Sequence, residues 1–515
     1  MPADAMFTVV PRPRGENPFP NDGVKRDANG MLYYADLPPS LMHVLRDHAA
    51  GKPSAEALVE VGGERLTYRE VWDSASKIAG GLRERGIGPG DRVAIHMPNG
   101  LKWVLALYGT IMAGGVAVPV NTRFSESEVE YVVTDSGARL TFHADDELPL
   151  GEPYFDDSVG HDTIAAIFYT SGTTGFPKGA TTTQGALLTN AENMIRCIGV
   201  GRDVPDRSVI SVPLFHVTGC NAQLLTTMYM GGTSVILSAL DLGVLISTIV
   251  TEKIDRVTTV PAVYALMIGH PSFADADVSH VEHIGYGGAP MAPALVHRVK
   301  EAFPNAQVRN GFGMTEGAAL MTALPHAYAA THADSVGFAC PTMDLAILDP
   351  DPETGVGELL VRGANVTRSY WNKPEATVAA IVDGWLHTGD MARIDDRGFT
   401  YIVDRKKDMI NRGGENVYCV EVENAFIGLE GIAEVAVLGV PHEVLGEKVG
   451  VVIVPLPGAT IDTAAIRATL RERIADFKVP QYVVIRPAPL PRNAGGKVLK
   501  TALKKEVIDW GPALK

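Results

Sequence analysis

From Thr170 to Gly179 the chain reads Thr-Ser-Gly-Thr-Thr-Gly-Phe-Pro-Lys-Gly, which packs four hydroxyl side chains, three glycines and one lysine together. Small residues let backbone N–H groups approach an anion closely, and Ser and Thr hydroxyls can donate to its oxygens. Lys178 adds a mobile positive charge suited to a triphosphate tail. Thr170, Ser171, Gly172, Thr173, Thr174 and Lys178 therefore read as a phosphate cradle. A Walker loop needs a lysine followed directly by a hydroxyl residue that holds Mg²⁺. Gly179 follows Lys178 here, so that motif is excluded.

Other segments could complete such a site. In Asn310-Gly311-Phe312-Gly313-Met314-Thr315-Glu316, Thr315 offers a hydroxyl to a phosphate. Glu316 offers a carboxylate to Mg²⁺, which takes oxygen ligands beside substrate phosphates. Thr388-Gly389-Asp390 carries a carboxylate able to accept from two ribose hydroxyls, or simply forms a turn. Gly285-Tyr286-Gly287-Gly288-Ala289-Pro290 either lets a purine lie against backbone or turns a strand into a helix. His216 sits among apolar residues in Pro213–Gly219, the ordinary setting of a packed core histidine. Lys497 ends the small-residue loop Asn493-Ala494-Gly495-Gly496, where a solvated surface lysine is the default.

These residues need a scaffold. The apolar run Ile164–Tyr169 precedes the phosphate loop, and Ala186–Ile195 has a helical pattern after it. Upstream, residues 1–40 read as an extended arm with a short hairpin, followed by an amphipathic helix at Leu41–Ala49. Helical patterns then alternate with the apolar runs Arg92–His96, Val116–Val120, Leu140–Phe142, Ser208–Val212 and Ser234–Leu237. That alternation predicts α/β architecture with mostly parallel sheets. Short strands and frequent turns between Val336 and Val403 predict a small β-rich subdomain. After the charge run Asp404–Asp408, about 100 residues of strand and helix pattern predict a small C-terminal domain.

Composition narrows the class. A chain of 515 residues exceeds one ordinary core, so more than one domain is expected. The net charge of −15 argues against nucleic acid or an anionic membrane as main partner. Cys197, Cys220, Cys340 and Cys419 lie far apart with no C-x-x-C, as reduced thiols of a cytoplasmic protein do. The N-terminus lacks the apolar core of a signal peptide. The uncharged run Trp103–Val120 is broken by Gly114-Gly115 and Pro119, which predicts a buried helix and a core strand instead of a membrane span.

Taken in order, YTSGTTGFPKGA, PLFHVTG, GYGGAP, GFGMTE, SYWNKPEAT, DGWLHTGD, DRKKDMINRGGENVYCVEVE and PRNAGGK resemble the adenylate-forming superfamily of acyl-CoA synthetases, adenylation domains and luciferases. The resemblance runs from about residue 60 to residue 500. It implies a multidomain α+β fold. An N-terminal adenylation domain over residues 1–404 would contain two α/β subdomains and a small β-barrel-like one. Residues 405–407 would form a hinge, and 408–515 a mobile C-terminal domain.

The implied chemistry joins a carboxylate to the α-phosphorus of ATP and then passes the acyl group to a thiol, usually that of coenzyme A. In that scheme the phosphate loop holds the β,γ-phosphates, Thr315 touches the α-phosphate and Glu316 holds Mg²⁺. Phe312 stacks on adenine, with Gly287, Gly288 and Ala289 on the other side and Asn310 near the exocyclic amine. Asp390 and Arg405 bind the ribose, and His216 lines the acyl pocket. Lys497 bridges the carboxylate and the α-phosphate. Lys407 occupies the hinge position, and rotation about it would withdraw Lys497 and bring Gly413 and Gly414 to the thiol tunnel. Leu445 stands where many CoA ligases carry an aromatic residue, which keeps an amine or a carrier-protein thiol open as acceptor. Dimers are common among similar enzymes. The segments expected to line the acyl pocket, Phe215–Leu224, Ile284–Gly288 and Asn310–Leu320, carry no Arg or Lys. They predict an apolar monocarboxylate, and the short Asp145–His161 linker leans toward a small one.

Overall fold

The computed structural model describes residues 9–11, 14–170, 177–202, 204, 206–289, 291–413, 415–492 and 498–506. A nine-stranded sheet has at its centre six parallel strands, in the spatial order Gln307–Phe312, His283–Gly287, Arg256–Thr259, Arg207–Ile210, Thr233–Ile236 and Glu56–Glu60. Short antiparallel strands flank both edges. A second sheet of five strands has a parallel core of Ile164–Thr170, Val116–Pro119, Arg92–His96 and Leu140–His143. Near-continuous Val, Ile and Ala in these strands suits parallel sheets covered on both faces.

Helix boundaries follow local chemistry. Thr67 and Glu70 form a reciprocal capping box that starts the helix Tyr68–Glu84. Thr183 accepts from the Ala186 N–H to start Gln184–Ile198, and left-handed Gly199 ends it. The uncharged Trp103–Val120 run folds as the buried helix Leu101–Met112 and the strand Val116–Pro119. No helix among the described residues is long and apolar enough to cross a membrane.

The β-rich region is a six-stranded antiparallel sheet built on Met343–Leu348, Gly357–Gly363, Trp385–Ile394 and Thr400–Arg405. The strand Val9–Pro11 joins it against Leu348, a pairing that the arm's sequence did not signal. Beyond residue 409 a separate sheet forms from Ile410–Arg412, Glu415–Val417, Ile432–His442, Gly446–Pro455 and Tyr482–Ile485. It has its own core, including Ile410, Val437, Val449 and Leu470.

One expectation needs refinement. The glycine-rich loop does not run from strand to helix. Lys178–Thr183 is itself a strand, paired antiparallel to Ile164–Thr170 with Lys178 opposite Thr170. The two ends of the loop, Thr170 and Lys178, are thus held opposite each other by the sheet.

Candidate active site

Three neighbouring parallel strands of the large sheet end at Thr259, Gly287 and Phe312. Ligands of open α/β sheets bind beyond such carboxyl ends. A cavity of about 880 Å³ lies here, and its walls include Thr170, Lys178, His216, Gly287, Gly288, Asn310, Thr315, Glu316, Arg405 and Lys407. Residues as distant in sequence as Thr170 and Lys407 thus face one space. Ala289 is exposed beside it. Phe312 packs against the core that contains Leu320, Met321 and Phe338, and its neighbours Gly311 and Gly313 form the wall. Ser171, Gly172, Thr173, Thr174, Gly414 and Lys497 lie outside the described residues.

The turn bearing Glu316 is tightly constrained. Asn310 and Gly311 pair with Tyr286 and Gly287 of the next strand, and a Cβ on Gly287 would stand 2.3 Å from the Gly311 carbonyl oxygen. A Cβ on Gly313 would fall 1.5 Å from the Ala319 carbonyl oxygen, so only glycine fits. Thr315–Gly317 then forms one 3₁₀ turn, followed by Ala318 at φ +57° and Ala319 at φ +129°. Two alanines in left-handed backbone are strained, and such strain persists only where the surroundings enforce it. Asn221 supplies part of that enforcement by donating to the Ala318 carbonyl at 2.9 Å.

Tyr370 ties the phosphate loop to this turn. Its hydroxyl donates to Glu316 Oε1 at 2.6 Å, and its ring lies 5.1 Å from Lys178 Nζ. The SYWNKPEAT motif contains Tyr370 but implies no task for its side chain. Nothing local in the sequence marks it, because the contact spans 54 positions. Burial, with Glu316 beside it, raises the Tyr370 hydroxyl well above its ordinary pKa, so it stays a donor. Among the described residues no cluster of three His, Cys, Asp or Glu could cage a metal. A single buried carboxylate still suits Mg²⁺, which keeps its waters and shares phosphate oxygens.

His216 also lines the cavity, just ahead of a π-helix at Thr218–Leu225. Such helices are rare and concentrate at functional sites. Burial, helped by the Arg123 charge, pushes the imidazole down to about 4. Its Nε2 has no hydrogen-bond partner among the described residues. His216 is therefore neutral near pH 7 and keeps one ring nitrogen for a ligand.

Asp390 and Arg405 face each other in register on neighbouring strands, with Arg405 Nε 2.8 Å from Asp390 Oδ1. Only Arg405 reaches the cavity wall, with Asp390 buried behind it. Lys406 Nζ bonds Glu358 Oε2 at 2.8 Å. Lys407, next along, faces the cavity, and burial lowers its pKa with Arg405 and Lys500 adding to the effect. Where the chain leaves the antiparallel sheet, Asp404 accepts from the backbone N–H groups of Arg405 and Cys419, the latter opening the helix Cys419–Ala425. Gly413 stands on the C-terminal sheet, where its N–H donates to the Leu445 carbonyl at 2.8 Å. Lys500 also lines the cavity and is held by Glu423 at 2.8 Å.

The cavity lining corrects the expectation of a pocket without basic residues. Arg309, His283 and Arg256 all line it. Arg309 stands one residue ahead of the Asn310–Leu320 segment expected to form the pocket wall, and lines the cavity together with Asn310 and Gly311.

Comparison with known proteins gives a consistent result. The family model described as AMP-binding enzyme matches residues 45–154 and 143–371, and that of the AMP-binding enzyme C-terminal domain matches 421–497. The chain is 36% identical over 477 residues to a feruloyl-CoA synthase of Amycolatopsis sp, covering 88% of this chain and 96% of that protein. It is 34% identical over 497 residues to a long-chain-fatty-acid–CoA ligase of Mycobacterium tuberculosis, covering 90% and 97%. The o-succinylbenzoate CoA synthetase of Bacillus subtilis, solved with its acyl-adenylate intermediate, superposes with a TM-score of 0.82 at 26% identity, covering 93% of this chain and all of that one.

Proposed function

The chain belongs to the AMP-binding enzyme family, and on that premise we propose that it is an AMP-forming acid–CoA ligase. In the first half-reaction a carboxylate oxygen attacks the α-phosphorus of ATP, and the bond to the leaving pyrophosphate breaks. In the second, the thiol of coenzyme A attacks the acyl carbonyl, loses its proton and displaces AMP. The substrates supply both nucleophiles, so the protein's task is to align repelling anions and neutralise developing charge.

The observation that carries this reading is the convergence of the phosphate-loop edge, Glu316, His216 and Arg405 on one cavity, at the end of a parallel sheet. Lys178 and the loop before it clamp the leaving pyrophosphate. Glu316 and the phosphates would hold Mg²⁺, which supplies positive charge to the leaving group. Thr315 contacts the α-phosphate, and Gly287, Gly288, Ala289, Asn310 and Phe312 bound the adenine. Arg405, oriented by Asp390, serves the ribose. Neutral His216 borders the acyl carboxylate without adding charge, and Lys497 completes the adenylating arrangement. The boundary after Asp404 supports a hinge at residues 405–407. About it the C-terminal unit, residues 408–515, would exchange Lys497 for the Gly413–Gly414 turn between the two half-reactions.

Hydroxylamine trapping across a panel of acids, with and without coenzyme A, tests the reading. Acyl hydroxamate without the thiol, and thioester with it, is the expected result. Amide formed with an added amine and no thioester would replace the thiol acceptor by an amine. No ATP–pyrophosphate exchange with any acid would remove the adenylating function.

A further inference from the structure

We infer that Arg309 is a specificity residue, and that the acid activated here carries an oxygen acceptor at the end remote from its reacting carboxylate. This rests on the adenylating function proposed above. Arg309 is paired across the sheet with Gly285, whose missing side chain leaves the cavity floor open beside it. A Cβ on Gly285 would stand 2.8 Å from Thr258 Oγ1. Val308, the strand neighbour of Arg309, points the other way into a separate core. The Arg309 Cα stands two residues back along the strand from that of Gly311, about 7 Å at the rise of a β-strand. Along the strand it thus lines the cavity further from the Thr315–Glu316 turn than Gly311 does, in company with Met194, Ile198, Ala222 and Leu320.

The charges around it do not cancel. Arg256, two strands away in the sheet, is neutralised by Asp206 at 2.7 Å. Arg309 has no carboxylate within ion-pair distance among the described residues. Its Nη1 donates to His283 Nδ1 at 3.2 Å, and its Nη2 donates to the Gln307 side-chain oxygen. A guanidinium has no acceptor, so His283 takes the bond on Nδ1 and carries its proton on Nε2. Burial, then Arg309 and Arg256, push His283 down to about 4, so it brings no second charge. Burial lowers Arg309 only to about 10, which leaves it charged at neutral pH. These acceptors are neutral, so the charge itself is unpaired, and a half-buried cation is costly unless a further acceptor meets it. A hydrocarbon end would strip its water and return nothing. A carbonyl, phenolic or carboxylate oxygen would pair with it.

The test uses 3-phenylpropanoic acids bearing methyl, hydroxyl, acetyl or carboxyl at the para position, with adenylation followed by pyrophosphate release. The expected result is at least a 10-fold higher kcat/KM for an oxygen-bearing acid than for the methyl acid, carried by KM. R309M should bring the ratio to within about 2-fold, through loss of kcat/KM on the oxygen-bearing acids. The carboxyl arm against the acetyl arm tells an anionic acceptor from a neutral one, and preference for either supports the assignment. Equal kcat/KM across the series in the native chain overturns it. So does an R309M variant that loses activity on all four acids alike, which marks a structural role. Absence of turnover with every acid, these and the wider panel, would count against the adenylating function itself.

Discussion

At the scale of single residues, two side chains carry consequences that composition cannot show. The Tyr370 hydroxyl is the donor to the buried Glu316 carboxylate. Y370F leaves that acceptor short of a partner, and a charged hydrogen bond of this kind contributes about 1.5–3 kcal/mol. The expected outcome is a fall of about 10-fold or more in ATP–pyrophosphate exchange, with a raised Mg²⁺ requirement, at an unchanged far-ultraviolet spectrum. His216 makes the second case. Its folded pKa of about 4 lies below the ordinary 6.5, so the folded state favours the neutral ring. Its contribution to stability is complete above about pH 6.5 and is lost as pH falls toward 4. An NMR titration with labelled histidine should place the His216 midpoint near 4. A midpoint near 6.5 would contradict the burial assigned to it.

At the scale of elements, the Asn310–Ala319 segment shows how a motif is enforced. Gly313 is required by the Ala319 carbonyl, and the left-handed alanines at 318 and 319 reverse the chain around Glu316. G313A forces backbone to move and should cost about 3 kcal/mol. A lowered thermal transition, with adenylation reduced more than stability alone explains, is the expected pair of measurements. The helix expected over Ala186–Ile195 is present but runs from Gln184 to Ile198, because the Thr183 cap and left-handed Gly199 set its ends. The Lys178–Thr183 strand was not legible in the sequence, because Lys-Gly-Ala-Thr-Thr-Thr has no apolar alternation and becomes a strand only by pairing with Ile164–Thr170. Val9–Pro11 escaped for the same reason, since its partner at Leu348 lies more than 300 residues away.

At the scale of the whole molecule, the C-terminal unit meets the antiparallel sheet through Asp404, which receives the first N–H of the helix at Cys419. The chain passes directly from there through Arg405 and Lys407, two walls of the cavity. Any rotation about this segment changes which C-terminal residues reach the site. K497A is accordingly expected to cut acyl-adenylate formation by orders of magnitude while sparing thioester formation from preformed acyl-AMP. Rapid-quench measurement of each half-reaction separates the two, and equal loss in both would contradict a hinge that alternates them. The phosphate loop, Glu316, Asp390, Arg405 and Lys407 were all named from sequence, since each sits in a short motif of defined spacing.

What the sequence determined by itself was the chemistry on offer: a hydroxyl- and glycine-rich loop, carboxylates at Glu316 and Asp390 in short motifs, and the family to which such an ordered set belongs. These are properties of local runs, in which side-chain type and spacing are enough. Tertiary structure alone decided what meets what. It placed Tyr370 between Lys178 and Glu316, put Asp390 behind Arg405, and brought Arg309 into a cavity that its neighbours in sequence describe as apolar. The physical reason is that sheet pairing sets which side chain faces the cavity. A one-residue step along the strand from Asn310 to Arg309 changed the expected cavity lining from neutral to cationic.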